Sequence, residues 1–499
     1  MGPMAIQPGT VNAPDFPDGL DWLNVDRPIS LTELRGKICL LDFWTYCCIN
    51  CMHILPDLKR LEKKYSEELV VIGVHTPKFT TERETNNIRQ ALIRYGVEHP
   101  IVNDHSMQLW REYAIRAWPT LVLVDPLGKV VGAHSGEGIY EVFDPIITQM
   151  VEYFDKNNEL DRRFVPTVIE GAENGFLSFP GKVLADPVSN SLFVSDSNHN
   201  RILILSLDNF QVKEIVGAGT TGFDDGNFDK ATFHHPQGMA LTENRLFVAD
   251  TENHALRKIN FTTKTVDTVA GNGTQSRKLD ALPGDALGRA LNSPWDLEWA
   301  HGVLFIAMAG SHQIWGFDPE SGIIAGHAGS GLEDHIDGSL LAASLAQPSG
   351  LTSNGNVLFI ADSEVSSIRT VDLDPRGGHV RTIVGKGLFD YGDIDGLGDT
   401  VRLQHPLDVE HSDGSIYVAD TYNHKIKIVN PTTGKSLTLA GTGEAGLKDG
   451  PLNEALFYEP SGLSATDKKV FVADTNNHAI RVIDLEQGSV STLQIQPRT

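Results

Sequence analysis

The chain has 499 residues, 40% of them hydrophobic and 21% charged, a globular composition too long for one hydrophobic core, so two or more domains are expected. Its 41 lysines and arginines face 65 aspartates and glutamates, a formal charge of −24; no basic run exceeds two or three residues, so a polyanion such as DNA or RNA is repelled and nucleic-acid binding is excluded. No apolar stretch of about 18 residues is present to span a membrane, the opening MGPMAIQPGTVNAPDF lacks the apolar run of a secretory signal, and four cysteines are too few for a disulfide framework, so a cytoplasmic location is expected.

In chain order, KICLLDFW (37–44) is a continuous apolar run and predicts a buried parallel strand. ILPDLKRLEKKY (54–65) has apolar residues at helical spacing, with Pro56 in a first turn or at a kink. LVVIGVHT (69–76) predicts a second buried strand and TERETNNIRQALIRYGV (81–97) a second helix. PTLVLVDPLGKVVGAH (119–134) reads as a hairpin turning at Pro-Leu-Gly-Lys. Together these predict an α/β sandwich over residues 1–158, followed by a linker over 159–174.

From 175 to 499 the texture is repetitive. LFVSDSNHNRI, LFVADTENHAL, LFIAMAGSHQI, LFIADSEVSSI, IYVADTYNHKI and VFVADTNNHAI start at residues 192, 246, 304, 358, 416 and 470, with alternating intervals of 54 and 58. Phrases such as VAGNG, IVGKG and LAGTG, then Asp-Gly pairs, then HPQGMA, QPSGLT and EPSGLS recur between them. Such a unit cannot bury both faces alone, and radial closure removes sheet edges, so six units predict an all-β six-bladed propeller. Both VPTVIEG (165–171) and SVSTLQI (489–495) match the outer strand that closes the ring. His199, His254, His424 and His478 are taken to recur at one turn position, which favours a structural role over a metal site. Met308 replaces the usual Asp in the third repeat, and the fourth lacks Asn-His. No His or Glu cluster out of phase with the repeat suggests a metal in the central channel, and no cofactor is expected.

The chemistry concentrates in TYCCINCMHI (45–54). Cys48-Ile49-Asn50-Cys51 is a C-x-x-C between a buried strand and a helix. A helix N-terminus offers unpaired N–H groups and the positive end of its dipole, an environment that stabilises a thiolate. A second thiol one turn on can then close a disulfide. Inert buried thiols and a zinc site are the alternatives. Zinc needs four ligands, and only Cys39, read as core, remains. Cys47 is a regulatory thiol, an alternative disulfide partner or a small filler. His75, at a strand end, either assists Cys51 or is an unrelated surface histidine. Asp42 is a lone carboxylate in an apolar strand, costly unless it works or is paired.

Asp42-Phe43-Trp44 followed by Cys48-x-x-Cys51 resembles the thioredoxin active-site strand, with Cys47 where that family carries Trp. Tyr113–Thr120 resembles the segment ending in the family's cis-proline. The resemblance implies a cis Trp118–Pro119 bond facing Cys48, a proton-relay role for Asp42, nucleophile and resolving roles for Cys48 and Cys51, and substrate binding at Trp118, Pro119 and Thr120. It leaves Cys47 and His75 as accessory residues. Ile49-Asn50 replaces Gly-Pro, so no redox potential carries over, and the bulky Trp118 narrows the groove. The insertion over roughly 75–105 brings the domain closer to the larger bacterial thioredoxin-like reductases and peroxiredoxins. The C-C-I-N-C domain with the repeats resembles the family of NHL-repeat-containing thioredoxin-like proteins over nearly the whole chain. Animal members carry a further C-terminal β domain, so a shorter bacterial form is implied. The resemblance implies a thiol–disulfide oxidoreductase with a protein substrate and a dithiol electron donor, the propeller binding a partner. The alternative is a non-enzymatic scaffold or redox-sensing interaction protein.

Overall fold

The computed structural model describes residues 9–171, 175–278 and 280–497. The chain divides after residue 173 into two compact units.

The first unit is built on a seven-stranded mixed sheet in the order β1-β7-β6-β3-β4-β5-β2. Its strands are β1 (Val11–Asn12), β2 (Trp22–Leu23), β3 (Ile38–Trp44), β4 (Leu69–His75), β5 (Ile101–Asn103), β6 (Thr120–Val124) and β7 (Lys129–Ser135). The apolar runs at 38–44 and 69–75 lie side by side as the parallel pair β3–β4, wholly buried, as strands covered on both faces require. Side chains alternate across β3. Ile38 and Leu40 pack with Ile54, Leu58 and Leu61 of helix α1 (Ile49–Lys64), and with Phe143, Ile147 and Phe154 of a later helix, Ile139–Lys156. Cys39, Leu41 and Phe43 face Leu31, Leu34 and Leu109 on the opposite side, which fixes Cys39 as core.

Three expectations change here. Helix α1 begins at Ile49, five residues before the apolar spacing, and runs through Pro56. The helix expected over 81–97 is a 3-10 turn, Thr81–Arg83, followed by α2 (Thr85–Tyr95). Extended Glu84 separates them, and Gly96 in the left-handed conformation ends α2. The stretch expected as a linker bonds back to this unit: Asp161 N donates to Gly36 O, Val168 N to Asn24 O, and Glu170 N to the Asn24 side chain at 3.0 Å.

The second unit is a six-bladed β-propeller of one four-stranded and five five-stranded sheets. In the second blade the strands Pro236–Thr242, Arg245–Asp250, Ala255–Asn260 and Thr265–Ala270 run from inner to outer. Gly226–Asn227, from the Asp-Gly element, adds a short fifth. The ring closes between blades six and one: Ser461 Oγ donates to Gly181 O and Thr475 Oγ1 to Pro180 O, each at 2.8 Å. Ser489–Thr492 is the outer strand of the sixth blade, and Gln496 bridges to Gln211 of the first. Val168, in the competing segment, bonds to the first unit instead.

The repeated Asp-Asn-His has a distinct job for each residue. Asp250 accepts the His234 N–H at 2.7 Å, Asn253 Nδ2 donates to Asp250 at 2.8 Å, and His254 Nδ1 accepts the Ser293 N–H of the following blade at 3.1 Å. The last position is left-handed in every blade, with φ of 49° at His254 and 53° at His424. His199 does not share it. It stands one residue early, beside Asp196 at 2.9 Å, and Asn200 accepts the inter-blade bond from His235 N. His312 and Ser366 fill the place in blades three and four. The shared need is a short acceptor that tolerates left-handed backbone, which Asn, His and Ser each supply here.

Charged residues break the repeat at the inner strands: Lys182 is buried between Asp408 at 2.7 Å and Asp296 at 3.1 Å. Glu298 and Glu410 stand two residues further along two of these strands and repel each other.

Candidate redox site

Strand β3 ends at Trp44, and the chain turns through Thr45, Tyr46 and Cys47 into α1. Cys48 is the residue that caps the helix, in extended conformation (φ −80°, ψ 113°), with no side-chain cap bond. Its carbonyl accepts the N–H groups of Cys51 and Met52 at 3.0 and 3.2 Å. The first turn carries no acidic residue, so the positive end of the helix faces the thiol unopposed from that turn. Cys48 is partly exposed; Cys47 and Cys51 are buried. The Cys51 thiol is in hydrogen-bonding contact with Cys48, and burial first, then Cys48 and Asp42, push its pKa well above that of a free thiol.

Asp42 lies on the α1 side of β3, completely buried, with neither oxygen hydrogen-bonded. Burial raises its pKa from 3.8 to about 7. The Trp118–Pro119 bond is cis. Thr120 is the register partner of Phe43, which puts the cis bond at the end of the sheet where β3 leads into the cysteines. The Trp118 ring packs on Trp110 at 4.3 Å between centroids, and its Nε1 donates to Thr76 O at 3.1 Å. The Thr120 hydroxyl is turned inward, donating to Ala117 O and bonding Ser135 Oγ, each at 2.7 Å. It therefore supports the loop rather than presenting a hydroxyl to a ligand.

His75 is not a surface histidine. It is fully buried, stacked on Tyr46 at 5.5 Å and edge-on to Trp44 at 5.3 Å. Burial drops its pKa to about 3, so the ring is neutral. Among the described residues no three His, Cys, Asp or Glu side chains are grouped to hold a metal ion.

Sequence reasoning missed Glu82. This fully buried carboxylate accepts Thr45 Oγ1 at 2.7 Å and Cys47 N at 3.0 Å on one oxygen, and Lys78 N and Phe79 N at 2.8 and 2.9 Å on the other. It thereby ties the turn before Cys48 to the loop after β4. A charged residue in Thr-Glu-Arg-Glu reads as solvated, and its four donors, the Thr45 hydroxyl and three backbone N–H groups, leave no sequence signature. Glu82→Gln would set an amide NH2 against the Lys78 and Phe79 donors. A loss of roughly 1–3 kcal/mol is expected, read from chemical denaturation. An unchanged midpoint would mean the turn is held by other bonds.

The chain matches the Thioredoxin-like family over residues 36–130 and the NHL repeat family over 233–259 and 457–483. It is 46% identical to Protein SUPPRESSOR OF QUENCHING 1, chloroplastic, of Arabidopsis thaliana across 96% of this chain, and spans about half, 47%, of that relative's length. It is 40% identical to NHL repeat-containing protein 2 of Homo sapiens, covering 97% of this chain and 72% of the relative. Over 25% of its length it is 33% identical to the thiol-disulfide oxidoreductase ResA of Halalkalibacterium halodurans, covering 65% of that protein. At 40% identity the match to the relative named for its NHL repeats takes in nearly all of this chain and more than two thirds of that protein, and with the Thioredoxin-like match in the first unit it shows that the chain belongs to the family of NHL-repeat-containing thioredoxin-like proteins.

Proposed function

We propose that the first unit exchanges thiols for disulfides with a protein substrate and that the propeller recruits or orients that partner. One observation carries this reading: a partly exposed Cys48 at the start of α1 in hydrogen-bonding contact with a buried Cys51, above a buried carboxyl. The Cys48 thiolate attacks one sulfur of a substrate disulfide, forming a mixed disulfide and expelling the first substrate thiolate. Asp42 takes the Cys51 proton, and the Cys51 thiolate attacks the Cys48 sulfur. The bond to the substrate breaks and the second thiolate leaves. Two electrons have then passed to the substrate, and a dithiol donor must reduce the Cys48–Cys51 disulfide to restart the cycle.

The backbone of Trp118 beside Pro119 is the place for the substrate chain to lie as an added strand. The paired Trp118 and Trp110 rings form an aromatic wall. Thr120 acts from beneath. Cys47 and His75 take no chemical step in this scheme. The cycle needs a dithiol donor, which a reducing compartment such as the cytoplasm supplies. The resemblance to ResA, a protein named as a thiol-disulfide oxidoreductase, supports the reaction class.

A Cys51→Ser chain mixed with cell extract is expected to hold partners as mixed disulfides that dithiothreitol releases, and Cys48→Ser is expected to hold none. Equal capture by both variants would remove Cys48 as the nucleophile. A Cys48–Cys51 disulfide that forms without turnover of insulin or a dithiol probe would instead favour a redox-sensing interaction protein.

A further inference from the structure

The loop that follows β7 meets both the cis-proline and the cysteine helix, and the cycle above gives it no role. It reads Gly136-Glu137-Gly138. Both glycines are left-handed, with φ of 99° and 72°, a backbone that glycine adopts without strain but does not hold by itself. The helix Ile139–Lys156 starts directly behind it, capped by Gly138, which has no side chain to offer. The loop is therefore fixed from outside. At its first residue Gly136 N donates to Pro119 O at 3.0 Å, extending the β6–β7 ladder to the cis bond. At its centre Glu137 Oε1 lies 2.6 Å from His53 Nδ1. The His53 side chain is 3% exposed and that of Glu137 19%, so this hydrogen bond is shielded from water and is of the strong, charge-assisted kind. His53 stands on α1, five residues after Cys48. The pair thus joins the helix of the nucleophile to the loop that holds the Pro119 carbonyl. The helix Ile139–Lys156 does not need the pair for its own docking. Its Tyr140 N donates to Asp57 at 3.3 Å, and Tyr65, at the end of α1, bonds Asp144 Oδ1 and Thr148 Oγ1, each at 2.7 Å.

We propose that the His53–Glu137 pair sets the edge on which a substrate chain lies. It seats the Gly136–Gly138 loop against Pro119 and so decides how well an extended polypeptide disulfide, as opposed to a small one, is held. This rests on the thiol–disulfide reading above, and the sulfur steps are those already given. Among the described residues none bonds to the N–H or C=O of Trp118, next to Pro119, so that backbone is open to an added strand. A polypeptide lying there depends on where the Pro119 carbonyl is held. A small disulfide needs only the Cys48 sulfur. His53 and Glu137 act through Gly136 and Pro119 and are positioning residues.

The test uses the full reduced chain with two substrates, insulin at steady state and 5,5′-dithiobis(2-nitrobenzoate) in stopped flow. With the second, one coloured thiolate appears on attack by Cys48 and another on resolution by Cys51. Glu137→Ala frees the loop, Glu137→Gln keeps an acceptor for His53, and His53→Asn keeps a donor near the place of Nδ1. Glu137→Ala is expected to raise KM for insulin about tenfold, the scale of one charge-assisted hydrogen bond, with kcat within about twofold. Both stopped-flow phases are expected to stay within about twofold, and the two conservative variants within about threefold of the natural KM. Faster hydrogen exchange over residues 135–140 in Glu137→Ala reports the loosened loop. An insulin KM within about twofold in Glu137→Ala, or an attack on the small disulfide that slows in step with insulin, overturns the role of the pair and leaves the thiol–disulfide reading standing. A natural chain that reduces the small disulfide but not insulin overturns the polypeptide edge. One that reduces neither overturns both the edge and the thiol–disulfide reading.

Discussion

An Asp42→Asn variant is expected to resolve the mixed disulfide roughly 100-fold more slowly than the natural chain, the usual scale of lost general-base catalysis, and yet to resist unfolding better at neutral pH. The two effects share one cause. Asp42 is buried without a hydrogen bond, and burial raises its pKa from 3.8 to about 7. As a base it must be ionised, so the natural resolution rate should climb through about pH 7, whereas asparagine leaves Cys51 to ionise unaided. Stability moves the other way. Between pH 3.8 and about 7 the unfolded chain has released this proton and the folded chain has kept it, so stability falls as pH rises through that window. By pH 8 the ionised carboxylate costs the fold on the order of 4 kcal/mol. An asparagine amide is itself left unpaired, which reduces the expected gain to about 2 kcal/mol. Denaturant titrations at pH 5 and pH 8, alongside the stopped-flow resolution rate, check both halves. Equal resolution rates with one pH profile would mean that Asp42 is not the base.

How much of this was legible depended on whether the determining contacts were local. Cys48 at a strand-to-helix junction was, because the run at 37–44 and the cysteine spacing lie within fifteen residues of one another. The helix Ile139–Lys156 also carried its signal: Ile139, Phe143, Ile147, Met150 and Phe154 recur every three or four residues. It went unread in the tail behind the hairpin. Glu82 and His53 were not legible. A charged or titratable residue looks solvated until distant elements bury it, and their partners come from Thr45 and Cys47 in one case and from Glu137 in the other. In the propeller, HPQGMA, QPSGLT and EPSGLS were read as one recurring inner-strand phrase, and the three blades that depart from it went without comment. Those three blades are the information. Gly238, Gly350 and Gly462 alternate around the ring with Lys182, Asp296 and Asp408. A Cβ at Gly350 would meet the Asp408 backbone at 2.6 Å, so the narrow centre admits side chains from alternate blades only. The displaced His199 shows the converse limit: of four histidines taken to recur, this one stands one residue early, and the left-handed backbone and inter-blade bond at Asn200 reveal which residue holds the shared position.

Replacing Arg257 with methionine should cost the propeller about 3–5 kcal/mol, because it strands the buried Asp250 carboxylate. Arg257 is wholly buried. It donates to Asp250 and Thr232 O at 2.8 Å and to Asp225 at 2.9 Å, and lies 5.2 Å from the ring centres of Phe223 and Phe233. Arg369 and Arg481 repeat the arrangement with Asp362 and Asp474, and Lys427 does so with Asp393 and Asp395 beside Asp420. The third blade carries a natural exchange of the whole pair. Met308 stands in the Asp position, its sulfur accepting the Asn292 N–H at 3.4 Å, and Trp315 stands in the Arg position, its Nε1 satisfied by Gln313 at 2.9 Å. Neither partner is left charged and alone, which is why an apolar pair can replace a buried ion pair that tolerates no single loss. The double variant Asp250→Met with Arg257→Trp is therefore expected to recover most of the stability lost by Arg257→Met, within about 2 kcal/mol of the natural chain. Hydrogen exchange across strands 245–250 and 255–260 localises the effect to the second blade, where a whole-chain melting curve would mix two units. A single variant as stable as the natural chain would show that Asp250 sheds its charge there at no cost. A double variant no better than the single would show that the Met–Trp pair depends on its own blade's neighbours, Gln313 and Arg289 foremost.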